Sequence, residues 1–319
     1  MRRLALVVLV VAAGALSPWG DRVRRAAGRA DGTSTPAAQT IAATPNPSTD
    51  PVFICPMDRD IRSYKPGFCP RCKMKLVNDV PEPAEYHMDL SASPDPMPGR
   101  RVRLTFEVFD PWKGNPVRNF AVVHEKLFHA FIVSRDLGFF VHDHPVWDDA
   151  HAAFDYDVTF PRPGMYRILG DFYPEAATPQ LITQTIFVPG DEAPTRPPAR
   201  DYSPKQGGNL DVAMSTAPEM PVAGAPTQLR FMLNPAEGLQ RYLGAWGHML
   251  AASDDLIDMM HTHPFATEAG PVMQFNLVFP RARVYRVWVQ FQRDGVVNTA
   301  HFDIPVRPAD GSQTLPGSE

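Results

Sequence analysis

The sequence predicts a mainly β protein: a small cysteine-bearing hairpin followed by two tandem Ig-like or cupredoxin-like β-sandwich repeats. Three observations lead there. Proline makes up 35 of 319 residues, about twice the usual share near 5%. It breaks helices but is tolerated in turns and edge strands. Stretches such as RVRLTFEVF, MYRILGDF and VYRVWVQF alternate apolar and polar residues with the period of a strand. The chain also repeats itself. HAFIVSRDLGFFVHDHP (129–145) aligns without a gap on HMLAASDDLIDMMHTHP (248–264), with seven of seventeen positions identical at an offset of 119. The same offset carries Phe160-Pro161-Arg162 onto Phe279-Pro280-Arg281 and Tyr166-Arg167 onto Tyr285-Arg286. Units of this size are domains rather than short solenoid repeats. Several short antiparallel strands closed over a core are most simply a sandwich.

Taken in chain order, residues 1–20 open with two arginines and an apolar run from Leu4 to Leu16. That run is shorter than the ~20 residues that span a bilayer. It reads as a signal peptide with Ala13-Gly14-Ala15 as cleavage site, or as an N-terminal membrane anchor if Ser17–Gly20 extends it. Either way the chain is expected to be exported, to the periplasm or another extracytoplasmic space. Residues 21–50, rich in Ala, Thr, Pro and Ser, are expected to be a disordered linker. The cysteine module spans 51–80, repeat 1 spans 84–190, a linker 191–207, repeat 2 spans 208–308, and 309–319 is a disordered tail. The net charge is −4 without a basic stripe, which argues against nucleic acid as a partner.

All three cysteines, Cys55, Cys69 and Cys72, lie in the module. An exported thiol needs a partner or a metal. Cys69 and Cys72 form a Cys-x-x-Cys knuckle whose sulfurs can face one point. Tyr64-Lys65-Pro66-Gly67 supplies a turn that returns Cys55 to that knuckle. Three thiolates with the thioethers of Met57 and Met74 suit Cu(I) or Ag(I). Three thiolates with a fourth ligand, Asp58 being the candidate, suit Zn(II). The competing reading is a disulfide plus a free thiol, with the methionines as a small apolar cap. A segment this short cannot bury a core of its own and needs a metal or a staple.

The pattern Cys-Pro-Met, Lys-Pro-Gly, Cys-Pro-x-Cys-x-Met resembles the heavy-metal-binding domain found on some silver/copper efflux adaptors and copper-transporting ATPases. It is carried by Cys55, Pro56, Met57, Lys65, Pro66, Gly67, Cys69, Pro70, Cys72, Met74 and Leu76. The resemblance implies a heavy-metal site in this segment alone. Asp58-Arg59 stands where that family usually has His-Pro, and Lys73 where it usually has Gly. The long helical hairpin of an adaptor is not visible, so the chain is not expected to be one.

Each repeat carries His, twelve residues, His, one residue, His-Pro: His129, His142, His144 and His248, His261, His263. A hairpin centred between Asp136 and Leu137 puts His129 opposite His144, with His142, Phe131, Val133 and Phe140 on the same face. The analogous centre clusters His248, His261 and His263. One reading is a three-imidazole copper or zinc site in each repeat; the other is histidines that hydrogen-bond a sandwich edge. The sandwiches hold no cysteine, which excludes blue copper. His87, His124, His151 and His301 are expected on the surface or on edge strands, and Met259-Met260 in core packing.

Signatures of hydrolases, phosphate-binding loops and zinc peptidases are absent. The sequence therefore predicts an exported, non-catalytic heavy-metal-binding protein (Cu/Ag or Zn) for capture, sequestration or handover, with a metal efflux or other envelope protein as partner. The alternatives are an envelope interaction protein with structural histidines, and a metal-dependent enzyme using Asp143, Asp148 and Asp149.

Overall fold

In the computed structural model, residues 50–309 are described, except 82, 193, 196 and 197. The expected signal segment, residues 21–49 of the linker and the tail from 310 lie outside the described residues. All described residues belong to one compact unit, and among them there is no helix.

The module is a three-stranded antiparallel sheet, in the order β2-β1-β3, of β1 (Val52–Ile54), β2 (Arg62–Ser63) and β3 (Val77–Asp79). It leans on the first repeat. Val52 and Ile54 bury against Ala176, with Tyr64 packed alongside. The Arg62 guanidinium lies 4.2 Å from the Trp112 ring centroid, and Lys113 pairs with Asp58 and Asp60. This docking supplies cover that so short a segment cannot make for itself.

Repeat 1 contains β4 (His87–Ser93), β5 (Arg101–Phe109), β6 (Phe128–Ser134), β7 (Phe140–Asp143), β8 (Val146–Asp148), β9 (Ala153–Thr159), β10 (Gly164–Phe172) and β11 (Gln180–Val188). Its two antiparallel sheets run β4-β5-β9-β8 and β11-β10-β6-β7. Alternate residues Val102, Leu104 and Phe106 of β5 enclose a core with Phe128, Ala130, Ile132, Ile168 and Phe172 of the facing sheet. Repeat 2 contains β12 (Lys205–Gln206), β13 (Asp211–Ala217), β14 (Pro226–Asn234), β15 (Leu239–Gln240), β16 (His248–Ser253), β17 (Met259–Thr262), β18 (Val272–Val278), β19 (Val284–Arg293) and β20 (Val296–Pro305). Its sheets run β12-β13-β14-β18 and β15-β19-β16-β17, with β20 on the other edge of β19. Phe231, Phe275, Val287 and Phe291 anchor its own core. The chain is thus mainly β, with two tandem sandwich repeats behind a small module.

β6 and β16 are buried at every position. One alternation feeds each sandwich core. The other alternation meets the opposite repeat. Phe131, Val133, Leu137 and Leu169 form one buried cluster with Leu250, Ala252, Leu256, Met259 and Trp288. The Phe140 ring stacks on Trp288 at 4.9 Å and 7°. Each of these residues has its counterpart at the offset of 119 in the same cluster (Phe131 and Leu250, Val133 and Ala252, Leu137 and Leu256, Phe140 and Met259, Leu169 and Trp288). The two repeats therefore pack in a pseudo-symmetric way through equivalent sheets.

The β6-β7 and β16-β17 turns set the register on which the histidines depend. Leu137 and Leu256 adopt φ of 57° and 55°, a left-handed conformation of the kind that closes short hairpin loops. Both side chains are buried in the inter-repeat cluster, which holds them there. Ser134 Oγ donates to Asp136 at 2.5 Å and Ser253 Oγ to Asp255 at 2.6 Å. The resulting pairings are Phe131 with His142 and Leu250 with His261.

Candidate metal centres

The three thiols converge. One ligand atom each from Cys55, Asp58, Cys69 and Cys72 lies within 4.8 Å of the others. Cys55 Sγ is 3.4 Å from Cys72 Sγ, and no disulfide is present. Two similar knuckles make the site. In Cys69-Pro70-Arg71-Cys72 the Cys72 amide donates to Cys69 Sγ at 3.4 Å. In Cys55-Pro56-Met57-Asp58 the Asp58 amide donates to Cys55 Sγ at 3.3 Å. Asp58 thus occupies in its knuckle the place that Cys72 holds in the other. Lys73 follows at φ 64°, a conformation glycine adopts freely.

Burial pushes the Cys55 thiol up, but the amides of Asp58 and Met57 and the neighbouring thiols outweigh it and bring it below an ordinary thiol. Cys72 moves the other way, to about 11: the Met74 amide pulls it down, while burial and the thiols of Cys55 and Cys69 outweigh that. Lys113 and Arg71 hold the Asp58 carboxyl well below the usual carboxylate range, Arg71 at 2.7 Å. Met57 and Met74 are 70% and 44% exposed, so their thioethers face solvent.

The second centre lies between the repeats. His129, His142 and His144 bring one ring nitrogen each within 4.8 Å of one another, and so do His142, His248 and His261. The first set belongs to repeat 1, as the hairpin register predicts. The second set crosses the interface and shares His142 with the first, so the histidines of the two repeats meet in one cluster. The reason is the second alternation of β6 and β16, which turns both histidine faces toward each other.

The partners outside the cluster fix the tautomers. His129 Nε2 is 3.1 Å from the Val123 carbonyl, and His248 Nε2 is 2.8 Å from the equivalent Tyr242 carbonyl. His261 Nδ1 is 2.6 Å from Asp171 Oδ2, and His142 Nδ1 is 2.6 Å from Gln290 Oε1. Gln290 is oriented by donating its amide to Thr299. Asp171 and Gln290 are also equivalent at the offset of 119. Each of these outer partners accepts, so each neutral ring keeps its proton on the outer nitrogen. The inner nitrogens, Nδ1 of His129 and His248 and Nε2 of His142 and His261, are bare lone pairs. His144 Nε2 at 3.1 Å and His263 Nε2 at 3.0 Å can donate to His129 Nδ1 and His248 Nδ1. His142 Nε2 meets only the bare His129 Nδ1, at 3.4 Å. His261 Nε2 is buried and has no hydrogen-bond partner.

Burial holds all these imidazoles below their ordinary pKa, most of them with help from neighbouring rings. His144 and His248 are brought down to about 3. The rings are neutral at pH 7, the form that ligates metal. Burial also pushes the Asp171 carboxyl up to about 6.

His124 differs from its expected surface position. It is half-buried in the loop before β6, at φ 49°, and its ring lies 3.8 Å from that of His263. The 119-offset counterpart is Leu243, so the repeat pattern did not mark it. Asp171 and Gln290 were missed as well; their shared offset is the signal that could have found them. His87 pairs with Asp89 and His151 with Asp148 on the exposed surface, and His301 is an exposed residue of β20. Asp149 faces Arg118, and Asp143, Asp148 and Asp149 form no joint ligand set among the described residues. Met259 packs between the repeats and Met260 against the repeat 2 core.

The chain belongs to the family described as Domain of unknown function (DUF8832), which it matches twice, at residues 81–188 and 205–308, about two thirds of its length. Residues 52–78 match the family described as Heavy metal binding domain. No curated protein matches the chain. Among solved structures it is similar to the chicken CNTN1 FN1-FN3 domains, with 9% identity over 76% of this chain and 76% of that one, TM-score 0.21. It is also similar to the fibronectin(III)-like modules of Clostridium thermocellum CbhA, with 9% identity over 73% and 100%, TM-score 0.21. Red sea bream transglutaminase matches at 13% identity over 69% of this chain and 31% of that one, TM-score 0.22. At these TM-scores the sandwich architecture rests on the strand pairing. The module is a heavy metal binding domain with a cysteine cluster.

Proposed function

We propose that the protein is an exported, non-catalytic metal-handling protein that captures a heavy-metal ion at Cys55, Cys69, Cys72 and Asp58, for sequestration or for handover to a metal efflux or other envelope protein. The observation that carries this reading is the convergence of three thiols and one carboxylate on two matching knuckles. Four such ligands suit tetrahedral Zn(II). The charges agree: three thiolates, a carboxylate and a divalent ion sum to about −2, which Arg71 and Lys113 at Asp58 neutralise. The soft thiolates equally admit Cu(I) or Ag(I) without Asp58. Met57 and Met74 do not favour that second mode, since both are solvent-facing. Cys72 is exposed, so an incoming thiolate can reach the metal from that side and displace Cys72 in ligand exchange. The export part of the reading rests on the apolar N-terminal run.

The test is metal analysis of the purified chain beside Cys55/Cys69/Cys72→Ser. About one equivalent of zinc, copper or silver should be lost in the triple variant. Unchanged stoichiometry would sink the thiolate site.

A further inference from the structure

We infer that the interface between the two sandwich repeats is a second metal site, in which His142, His248 and His261 bind one copper- or zinc-class ion and join the repeats through it. It is chemically distinct from the thiolate module and stands without it.

Four features carry the inference. First, the inner nitrogens of four neighbouring rings are proton-free, because their outer nitrogens face acceptors: Val123 O, Gln290 Oε1, Tyr242 O and Asp171 Oδ2. Those of His129 and His248 can accept from His144 and His263, but those of His142 and His261 have no N–H to accept, and lone pairs turned toward one another repel unless a cation lies between them. Second, His261 Nε2 has no partner on a side chain only 2% exposed. A buried polar atom left unsatisfied is costly; an ion bonded to it removes that cost. Third, the ligand nitrogens of His142, His248 and His261 lie within 4.8 Å of one another. With metal–nitrogen bonds of about 2.0–2.1 Å, the nitrogens of a tetrahedral site stand about 3.3–3.4 Å apart, so the three rings need only close inward on the ion. Fourth, the outer partners are of the kind that orient metal-bound imidazoles: a carboxylate, a side-chain amide and two backbone carbonyls. They recur at equivalent positions in both repeats.

Imidazole nitrogen is the ligand of zinc and copper rather than of calcium or magnesium. Nε2 of His142 can bond only one ion, and both ligand sets include His142, so the centre holds one ion at a time. The set of His142, His248 and His261 contains both of the nitrogens that no N–H can reach. His129, His144 and His263 stand beside it to complete the coordination.

The test uses the full chain and reads stoichiometry, spectrum and stability. The intact protein should bind about two equivalents of Zn(II), and Cys55/Cys69/Cys72→Ser about one. Co(II) in the triple variant should give the visible bands of nitrogen coordination without thiolate charge transfer, and its Tm should rise with added Zn(II). His142→Phe in the otherwise intact chain should reduce binding to the one thiolate-bound equivalent. His261→Gln, in the triple-variant background, should weaken the remaining site at least 100-fold. A triple variant that binds no Zn(II), Cu(II) or Co(II) and shows no Tm shift overturns the inference. So does a remaining equivalent that neither histidine substitution changes. Loss of the thiolate equivalent alone leaves these readings in place, so this site and the module can fail separately.

Discussion

The thiolate module and the inter-repeat centre gather ligands in opposite ways. The module takes four ligands from eighteen consecutive residues, Cys55 to Cys72, on two local turns. The centre takes its rings from hairpins 119 positions apart and holds them only while two sandwiches stay packed. The first site is soft and partly open, with Cys72 exposed. The second is borderline in softness and buried, with His129 at 2% and His248 at 1% exposure. The contrast teaches that a site written in a short turn can exchange its ion without disturbing the fold, whereas a site written in an interface couples its ion to the fold. An ion bound only by the packed form stabilises that form by mass action.

The sharpest way to break the comparison is to loosen the interface alone. Trp288→Ala removes the ring stacked on Phe140 and should cost about 3–5 kcal/mol. Urea denaturation measures the loss. Zinc at the imidazole centre should weaken with it, while affinity at the thiolates stays within about twofold.

Asp58→Asn probes the module from the other side. It leaves Lys113 and Arg71 without their carboxylate and should weaken zinc there about 100-fold, near the upper end for partners that tune a metal site. Competition titration with a chelator reads this directly. Asp58→Cys completes the second knuckle and should recover the affinity; failure to do so would remove Asp58 from the ligand set.

Asp171→Asn tests positioning in the centre. The amide can present a donor to His261 Nδ1, which makes the ring's proton move inward and blocks Nε2. Affinity at the centre should fall about 10-fold, with the thiolate equivalent untouched in the same titration.

Acid should separate the two sites by stability. A buried histidine with a depressed pKa takes no proton in the folded chain, while the unfolded chain does so below about 6.5. Stability contributed by the centre is therefore present above that value and declines as pH falls toward 3, where His144 and His248 titrate. Asp171, raised to about 6, opposes this with a single group between its folded and unfolded values. The depressed Asp58 contributes stability that is lost only as pH falls below the ordinary carboxylate range. Melting curves from pH 7 to pH 3 should slope less in His142→Phe than in the intact chain.

The smallest effect belongs to Lys73→Gly. At φ 64° a side chain carries a penalty that glycine lacks, and the exchange should stabilise the module by about 0.5–1 kcal/mol. Thermal melting monitored at the module reads it. A loss of stability would mean that the bond from Lys73 Nζ to the Pro70 carbonyl outweighs the backbone.

Much of this was legible in the residues themselves. Alternation of period two marked β5, β10 and β19, because a strand shows its faces every second residue. The matched SRDLG and SDDLI turns placed His129 opposite His144 and His248 opposite His263, because a hairpin turn sets the register of both its strands. The two Cys-Pro turns showed that the sulfurs could meet, since their geometry is local. What covers the second face of β6 and β16 was decided only in three dimensions. Periodicity says that a strand has two faces but does not name the neighbour on each. The packing of the two repeats turned two rows of histidines into one centre, drew His124 into it from a loop, and set Asp171 and Gln290 behind the rings. Those residues are distant in sequence, and only the burial of Phe131, Leu250 and Trp288 between the sheets brings them within reach.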